Sequence, residues 1–320
     1  MKVLVTGGGG FIGSHLVERL VREGHAVRVL DNFATGRREN LVPFLGEVEL
    51  TEGDIQSYER AHTAVRGVEA VFHQAALPSV PRSMQDPLTS NASNVIGTLN
   101  LLLAARDSGV RRVIFASSSS VYGADATLPK HEELMPLPIS PYGASKLAAE
   151  SYCRAFWEVY ELQTVALRYF NVFGPRQDPL SQYAAVIPNF ITAALAGTPA
   201  VVFGDGEQSR DFTFVSNVVE ANLLAIHESN AVGRVLNVAG GQRTSLNELI
   251  QELESALGRE VEASYESPRP GEVKHSQADV SLARSVLGYE PKVSLREGLA
   301  ATVAYFEEHP VPAGASHSIT

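Results

Sequence analysis

The chain holds a single cysteine, Cys153, among its 320 residues. That excludes an intramolecular disulfide and any cysteine-rich metal site, and leaves Cys153 to be read as a buried, inert thiol. Basic residues are also scarce, with 26 Lys and Arg against 36 Asp and Glu and a net charge of −10. A surface of that sign does not suit nucleic acid or an anionic membrane, whose phosphates call for basic patches. A small phosphorylated ligand needs only a few local cations and stays open. No apolar run approaches the roughly 20 residues that span a bilayer. Met1-Lys2 leads into a short apolar stretch and a glycine cluster rather than a signal peptide, so a cytoplasmic protein is expected. Repeats and low-complexity tracts are absent too. What remains is 44% hydrophobic, enough for a large core in one big domain or two closely joined ones.

The first half alternates short β-branched runs with helical patterns. The runs predict strands at Lys2–Val5, Ala26–Leu30, Val48–Gly53, Ala70–His73, Val113–Ser117 and Thr164–Leu167. Helices are expected between them at Ile12–Arg22, Ser57–Val65, Asn94–Ser108 and Pro141–Tyr160. Such alternation implies right-handed crossovers and a doubly wound parallel sheet of the Rossmann type, with helices on both faces. Continuously apolar strands fit burial on both sides. Beyond residue 170 the pattern loosens, with Gly and Pro punctuating Gly174–Gly206 and a strand at Val235–Val238 returning to the sheet. Helices are expected at Val218–His227, Leu246–Leu257 and Leu295–Glu307. The division predicted is a doubly wound domain over 1–170 with a returning segment near 211–240. A smaller, interleaved lobe covers 171–210 and 241–308, and a polar tail over 309–320 reads as disordered.

Glycines at 7, 10 and 13 follow the first strand and open the first helix. One glycine makes a tight turn, one lets backbone approach a pyrophosphate, and one brings helix close to strand. The helix N-terminus then offers free N–H groups to phosphates. A glycine triplet alone is common in turns, but Asp31 sits eighteen residues past Gly13, at the end of the second strand. An acid there accepts the adenosine ribose hydroxyls and repels a 2′-phosphate, which points to NAD rather than NADP. The pair Arg37-Arg38 is the one feature favouring NADP, but it reads more readily as a solvated loop. Asp54-Ile55, after the third strand, can meet the adenine edge or simply cap a helix.

The run Ser140-Pro141-Tyr142-Gly143-Ala144-Ser145-Lys146 carries the chemistry. Ser140 suits an N-cap and Pro141 the first helical position, so Tyr142 and Lys146 share one face of a helix. A tyrosine ordinarily titrates near 10, too high for a base at neutral pH. A neighbouring ammonium and a cationic nicotinamide both favour the phenolate, which can then take a hydroxyl proton while the carbon gives hydride to NAD. The spacing alone also fits an exposed amphipathic pair; its place after a nucleotide-binding half-domain favours the chemistry. Upstream, Ser117 to Ser120 end the fifth strand, where hydroxyls can bond a reacting oxygen or form an ordinary turn.

With these residues in view the chain resembles the nucleotide-sugar epimerases of the extended short-chain dehydrogenase/reductase group, within the NAD-dependent epimerase/dehydratase family. The likeness runs over residues 1–308. It rests on Thr6-Gly7-Gly8-x-Gly10-Phe11-Ile12-Gly13-Ser14, Asp31-Asn32, Ser117–Gly123, Tyr142-Gly143-Ala144-Ser145-Lys146 and Arg168-Tyr169-Phe170-Asn171-Val172-Phe173-Gly174-Pro175. Gln74–Ser83, Gln177-Asp178-Pro179, Tyr183–Pro188 and Gly204–Phe212 are similar to the bacterial UDP-N-acetylglucosamine 4-epimerase branch.

The resemblance implies C4 epimerisation of a UDP-hexose through a 4-keto sugar, with NAD retained and regenerated. Ser118 matches the catalytic serine beside Tyr142 and Lys146. Gln74, Ala75, Ala76, Asn94 and Tyr169 match cofactor positions alongside Gly7, Gly10, Phe11, Ile12, Gly13, Asp31, Asn32, Asp54 and Ile55. Ser119, Ser120, Asn171, Ala185, Val186, Arg210 and Arg269 match positions around the UDP-sugar, where planar guanidinium forks grip diphosphate. Ser276 aligns with a position that gates sugar size, and its small side chain implies room for an acetamido group. No acid replaces the serines of 117–120, which argues against 4,6-dehydratase and decarboxylase chemistry. A UDP-glucuronate 4-epimerase, a nucleotide-sugar reductase and an NAD-binding sensor that has lost catalysis are the competing readings. By analogy the family implies a homodimer built on two helices per subunit, here 94–108 and 141–160. Leu101, Leu102, Phe156 and Val159 are apolar residues compatible with that face and equally compatible with core packing. No metal is expected.

Overall fold

The computed structural model describes residues 1–123, 125–180, 185–268 and 273–310. The elements run β1 (Lys2–Thr6), α1 (Phe11–Arg22), β2 (Ala26–Asp31), β3 (Val48–Glu52), α2 (Tyr58–Val65), β4 (Ala70–His73), α3 (Val80–Gln85), α4 (Pro87–Asn91), α5 (Gly97–Asp107), β5 (Arg112–Ser118), α6 (Pro141–Tyr160), β6 (Gln163–Tyr169) and β7 (Val172–Phe173). They continue with α7 (Val186–Ala196), β8 (Ala200–Phe203), β9 (Ser209–Arg210), β10 (Thr213–Phe214), α8 (Val215–His227), β11 (Val235–Val238), β12 (Thr244–Ser245), α9 (Leu246–Leu257), β13 (Ala263–Glu266), α10 (Ser281–Leu287) and α11 (Leu295–Glu308).

Seven parallel strands form the central sheet in the order β11-β6-β5-β4-β1-β2-β3. The order reverses between β1 and β4, and ligands of such sheets bind at that switch, beyond the strands' carboxyl ends. The inner strands carry apolar runs such as Val3-Leu4-Val5 and Val113-Ile114-Phe115 because helices cover both faces. Leu4, Val71, Val113 and Ala166 face a core with α2, α5 and α6, whereas Val3, Val5, Phe72 and Ile114 face another with α1 and α8. A third core, with Phe173, Phe190, Leu249 and Phe306, belongs to the smaller lobe. Helix α10 and Tyr289 pack on the sheet side, where the Tyr289 hydroxyl donates to the Ala239 carbonyl at 2.9 Å. The chain therefore crosses between sheet and lobe repeatedly.

The predicted strands and helices of the sheet are present within three residues at each end, apart from one helix. Where Asn94–Ser108 reads as continuous, a π-helical turn at Ala92–Ile96 precedes α5. That turn directs Asn94 onto the Leu77 backbone. Leu101, Leu102 and Phe156 are not surface residues: they are 0%, 0% and 4% exposed within the α2/α5/α6 core, and only Val159 of the expected face is exposed. Consecutive leucines in α5 mark a helix covered on several sides. Among the described residues no helix is long and apolar enough to cross a membrane. Residues 311–320 of the expected tail lie outside the described residues.

Candidate functional site

At the switch point the carboxyl ends of β1, β2 and β4 open into a cleft of about 950 Å³ that continues past α6. Gly7, in the left-handed region, sits so near β4 that a Cβ there would meet the Ala75 nitrogen at 2.7 Å. Gly10 caps α1 without a side chain, so the first N–H groups of the helix face the cleft. Phe11, Ile12 and Gly13 line the same wall.

Asp31 ends β2 at 7% exposure, and its carboxylate accepts the Gly9 N–H at 2.8 Å and the Phe33 N–H at 2.7 Å. Burial raises its pKa while those bonds oppose the rise. Asn32 donates to Asp54 at 2.8 Å, and Asp54 and Ile55 line the cleft; the cap of α2 is Ser57, not Asp54. Arg38 is engaged with Glu52 outside, whereas Arg37 lines the cleft and pairs with Asp178 at 2.5 Å. Gln74, Ala75, Ala76 and Tyr169 form the floor, with Gln74 donating to the Tyr169 hydroxyl and to Asn222 at 3.1 Å each. Asn94 lies behind the cleft. It accepts the Leu77 N–H at 2.8 Å and donates to Ser145 at 3.1 Å, and so braces the cleft wall against α6.

Ser140 caps α6 through the Gly143 N–H at 3.1 Å, which aims Tyr142 and Lys146 into the cleft one helical turn apart. The Tyr142 hydroxyl bonds Ser118, yet burial pushes it up to about 12. Lys146 Nζ, 5.9 Å from the centre of the Tyr142 ring, donates to the Ala116 carbonyl at 2.8 Å, and burial pulls it down to about 8. The lowering of the phenol expected from the sequence invoked a cationic nicotinamide as well as Lys146. Within the protein alone, dehydration is the largest influence on both groups. Burial likewise pushes the Cys153 thiol up, which keeps it unreactive.

Ser118, Ser119 and Ser120 are half-buried just outside the cleft, and the Ser120 N–H donates to Ser118 Oγ at 3.1 Å. Sequence reasoning does not single out Ser117 from its neighbours. It lines the cleft and donates to Glu150, a contact that only the packing of α6 on β5 creates.

A second cavity of about 260 Å³ adjoins the first and shares Val172 and Ala185 with it. Asn171, Val186 and Arg210 line it with Phe203 and Phe212. Arg210 is held by the Ser209 and Lys274 carbonyls at 3.0 Å each. Ser276 lines neither cavity; its N–H donates to the Ser209 carbonyl at 3.0 Å, next to Arg210. Arg269 lies outside the described residues. Among the described residues no His, Cys, Asp and Glu side chains gather in a metal-holding group.

Two glycines with no room for a side chain, an uncapped helix end and a buried acid after β2 fit a dinucleotide whose ribose is unphosphorylated. Residues 3–239 match the family model described as NAD dependent epimerase/dehydratase family. Over 310 residues the chain is 41% identical to a UDP-glucose 4-epimerase of Mycolicibacterium smegmatis, covering 96% of this chain and 98% of that one. Its fold superposes with a TM-score of 0.92 on the UDP-N-acetylglucosamine 4-epimerase of Methanobrevibacter ruminantium solved with UDP-N-acetylmuramic acid, at 41% identity and 96% and 98% coverage. The UDP-glucuronic acid 4-epimerase of Bacillus cereus, solved with UDP-glucuronic acid and NAD, gives 0.89 at 33% identity, covering 97% of this chain and 100% of that one.

Proposed function

The chain belongs to the NAD-dependent epimerase/dehydratase family, and from that premise we propose that it interconverts UDP-hexoses that differ at C4. The preferred pairs are UDP-N-acetylglucosamine with UDP-N-acetylgalactosamine and UDP-glucose with UDP-galactose. The observation that carries the reading is that two cavities adjoin at Val172 and Ala185. Tyr142 and Lys146 line the cofactor cleft, and the smaller cavity that adjoins it carries Arg210.

The chemistry NAD supplies when bound is reversible oxidation of the sugar at C4. Tyr142 takes the C4 hydroxyl proton and returns it on the way back. Its high pKa in the bare protein, Lys146 included, means that the phenolate depends on further positive charge of the kind a bound nicotinamide brings. Ser118, bonded to Tyr142, holds the reacting oxygen in line with the phenol. The ketone has two faces, and inversion requires the ring to swing about its link to the diphosphate. Arg210, with Arg269 expected to join it, anchors the diphosphate so that the sugar alone turns. Asn171, Ala185 and Val186 hold the nucleotide. The small Ser276 leaves space for an N-acetyl group.

The same chemistry on UDP-glucuronate is the second reading, favoured by the likeness to the Bacillus cereus enzyme. One experiment separates them. The purified protein is incubated, without added cofactor, with UDP-N-acetylglucosamine, UDP-glucose and UDP-glucuronate in separate tubes, and proton NMR follows the C4 epimer. Epimer from the first two supports the preferred reading, and epimer from UDP-glucuronate alone replaces it with the second. No product in any tube, even with NAD supplied, rejects both.

A further inference from the structure

Beneath the reacting face of α6 lies a buried group of charges that proton transfer by Tyr142 does not itself require. Glu150, one turn beyond Lys146, is 5% exposed, and Arg168 on β6 is 3% exposed. Arg168 donates to both carboxylate oxygens, from Nε at 2.9 Å and Nη2 at 2.8 Å. Its guanidinium carbon stands 4.7 Å from the Tyr122 ring centre, and the Tyr122 hydroxyl donates to Asn237 at 2.8 Å, so the arginine is fixed from behind. Ser117 turns its hydroxyl onto the same carboxylate.

Lys146 is itself buried, and an ammonium taken out of water is costly unless an opposite charge faces it. Around it, His73 on β4 is held neutral by burial and by Lys146 itself, and the phenols of Tyr142 and Tyr122 and the Cys153 thiol are pushed up by burial. Burial lowers Lys146 to about 8, and Glu150 is the foremost of the groups that resist the fall. Stability alone is a poor reason for this arrangement, since apolar residues of similar volume generally serve as well as a buried ion pair.

We infer that Glu150 is a positioning residue for the reaction: its buried carboxylate keeps Lys146 an ammonium beside Tyr142 and, through Ser117, fixes the end of β5 that carries Ser118. The consequence for catalysis rests on the epimerase reading, but the electrostatic step can be read without substrate.

The sequence has five lysines, so their side-chain Cε resonances can be followed individually against pH in carbon-13 lysine-labelled protein. The resonance missing from Lys146→Met identifies Lys146, which titrates near 8 in the unaltered chain. In Glu150→Gln its midpoint falls by about one pH unit or more, and Glu150→Asp recovers part of the shift. The alkaline limb of the epimerase pH profile falls with it, which a packing defect alone would not produce. If Glu150→Gln leaves Arg168 too poorly matched to fold, Glu150→Gln/Arg168→Met removes both charges, and the midpoint still falls. A Lys146 midpoint that stays at its original value in either folded variant overturns the inference. A fallen midpoint in a protein that epimerises no UDP-sugar upholds the electrostatic role and rejects the epimerase reading instead.

Discussion

Gly13, in the first turn of α1, packs so closely on Gly7 that a β-carbon at 13 would lie 2.0 Å from the Gly7 carbonyl oxygen. No side-chain adjustment relieves that overlap, because the obstacle is backbone. Gly13→Ala must therefore push α1 away from β1 and displace the N–H groups that meet the pyrophosphate. We expect NAD affinity to fall at least tenfold and stability to fall by about 1–3 kcal/mol. Gly46→Ala is the control, since an added Cβ there meets nothing within 4 Å. Calorimetric titration with NAD and thermal unfolding check both, and wild-type NAD binding by Gly13→Ala would refute the close-packing argument.

Asp31 accepts two backbone N–H groups and closes the adenosine end of the cleft against a further negative charge. Asp31→Ala should weaken NAD binding about tenfold, near 1.4 kcal/mol, and should raise the affinity for NADP relative to NAD. Titration of the variant with each dinucleotide gives the ratio. An unchanged ratio would mean that other groups, Arg37 among them, choose the cofactor.

Lys146 also carries a stability cost that can be measured. Its pKa drops from 10.5 to about 8 on folding, so between those values the unfolded chain binds more protons than the folded one. Stability from this group accordingly rises with pH from about 8 to 10.5, and below about 8 the buried ammonium costs its full amount. The shift corresponds to roughly 3 kcal/mol. Lys146→Met should lose epimerase activity yet unfold at a higher urea concentration at pH 7. The difference between the two proteins should shrink by pH 10. A variant less stable than the parent at pH 7 would contradict this sign.

The parts of the molecule legible in the sequence are those set by local backbone demands and by burial on two faces. Val3-Leu4-Val5 and Val113-Ile114 read as inner strands because nothing polar interrupts them, and Ser140-Pro141 announces the start of α6. Helix α7 is hidden by Pro188, which its first turn tolerates, and the two-residue pairs β7/β10 and β9/β12 are too short to leave a period. Leu101 and Phe156 fit a dimer face and a core equally well in the sequence, because helical spacing names a face without saying what covers it; the fold puts both in the core. The raised Tyr142 pKa of the chain alone is hidden for a similar reason, since dehydration belongs to the packed site and has no signature in Tyr-x-x-x-Lys. Glu150 looks like any helical acid until Arg168 and Ser117 are brought against it.

Ser276 occupies a segment held rigidly beside Arg210. Its N–H donates to the Ser209 carbonyl, and two residues on the Ala278 N–H donates to the buried Asp211 carboxylate at 3.1 Å. Asp211 also takes the Gly240 and Gly241 N–H groups at 2.9 and 3.1 Å, so two chain segments are pinned to one side chain. A bulky residue at 276 therefore cannot escape by moving its backbone and must compete with whatever fills the space before it. If that occupant is the sugar's C2 substituent, Ser276→Tyr should lower kcat/KM for UDP-N-acetylglucosamine by at least about tenfold to a hundredfold, the usual range for a steric mismatch, while UDP-glucose turnover changes little. Parallel NMR assays on the two substrates give the ratio. Equal loss on both would place residue 276 against the UDP or the backbone instead, and would remove the argument that a serine here admits the N-acetylated sugar.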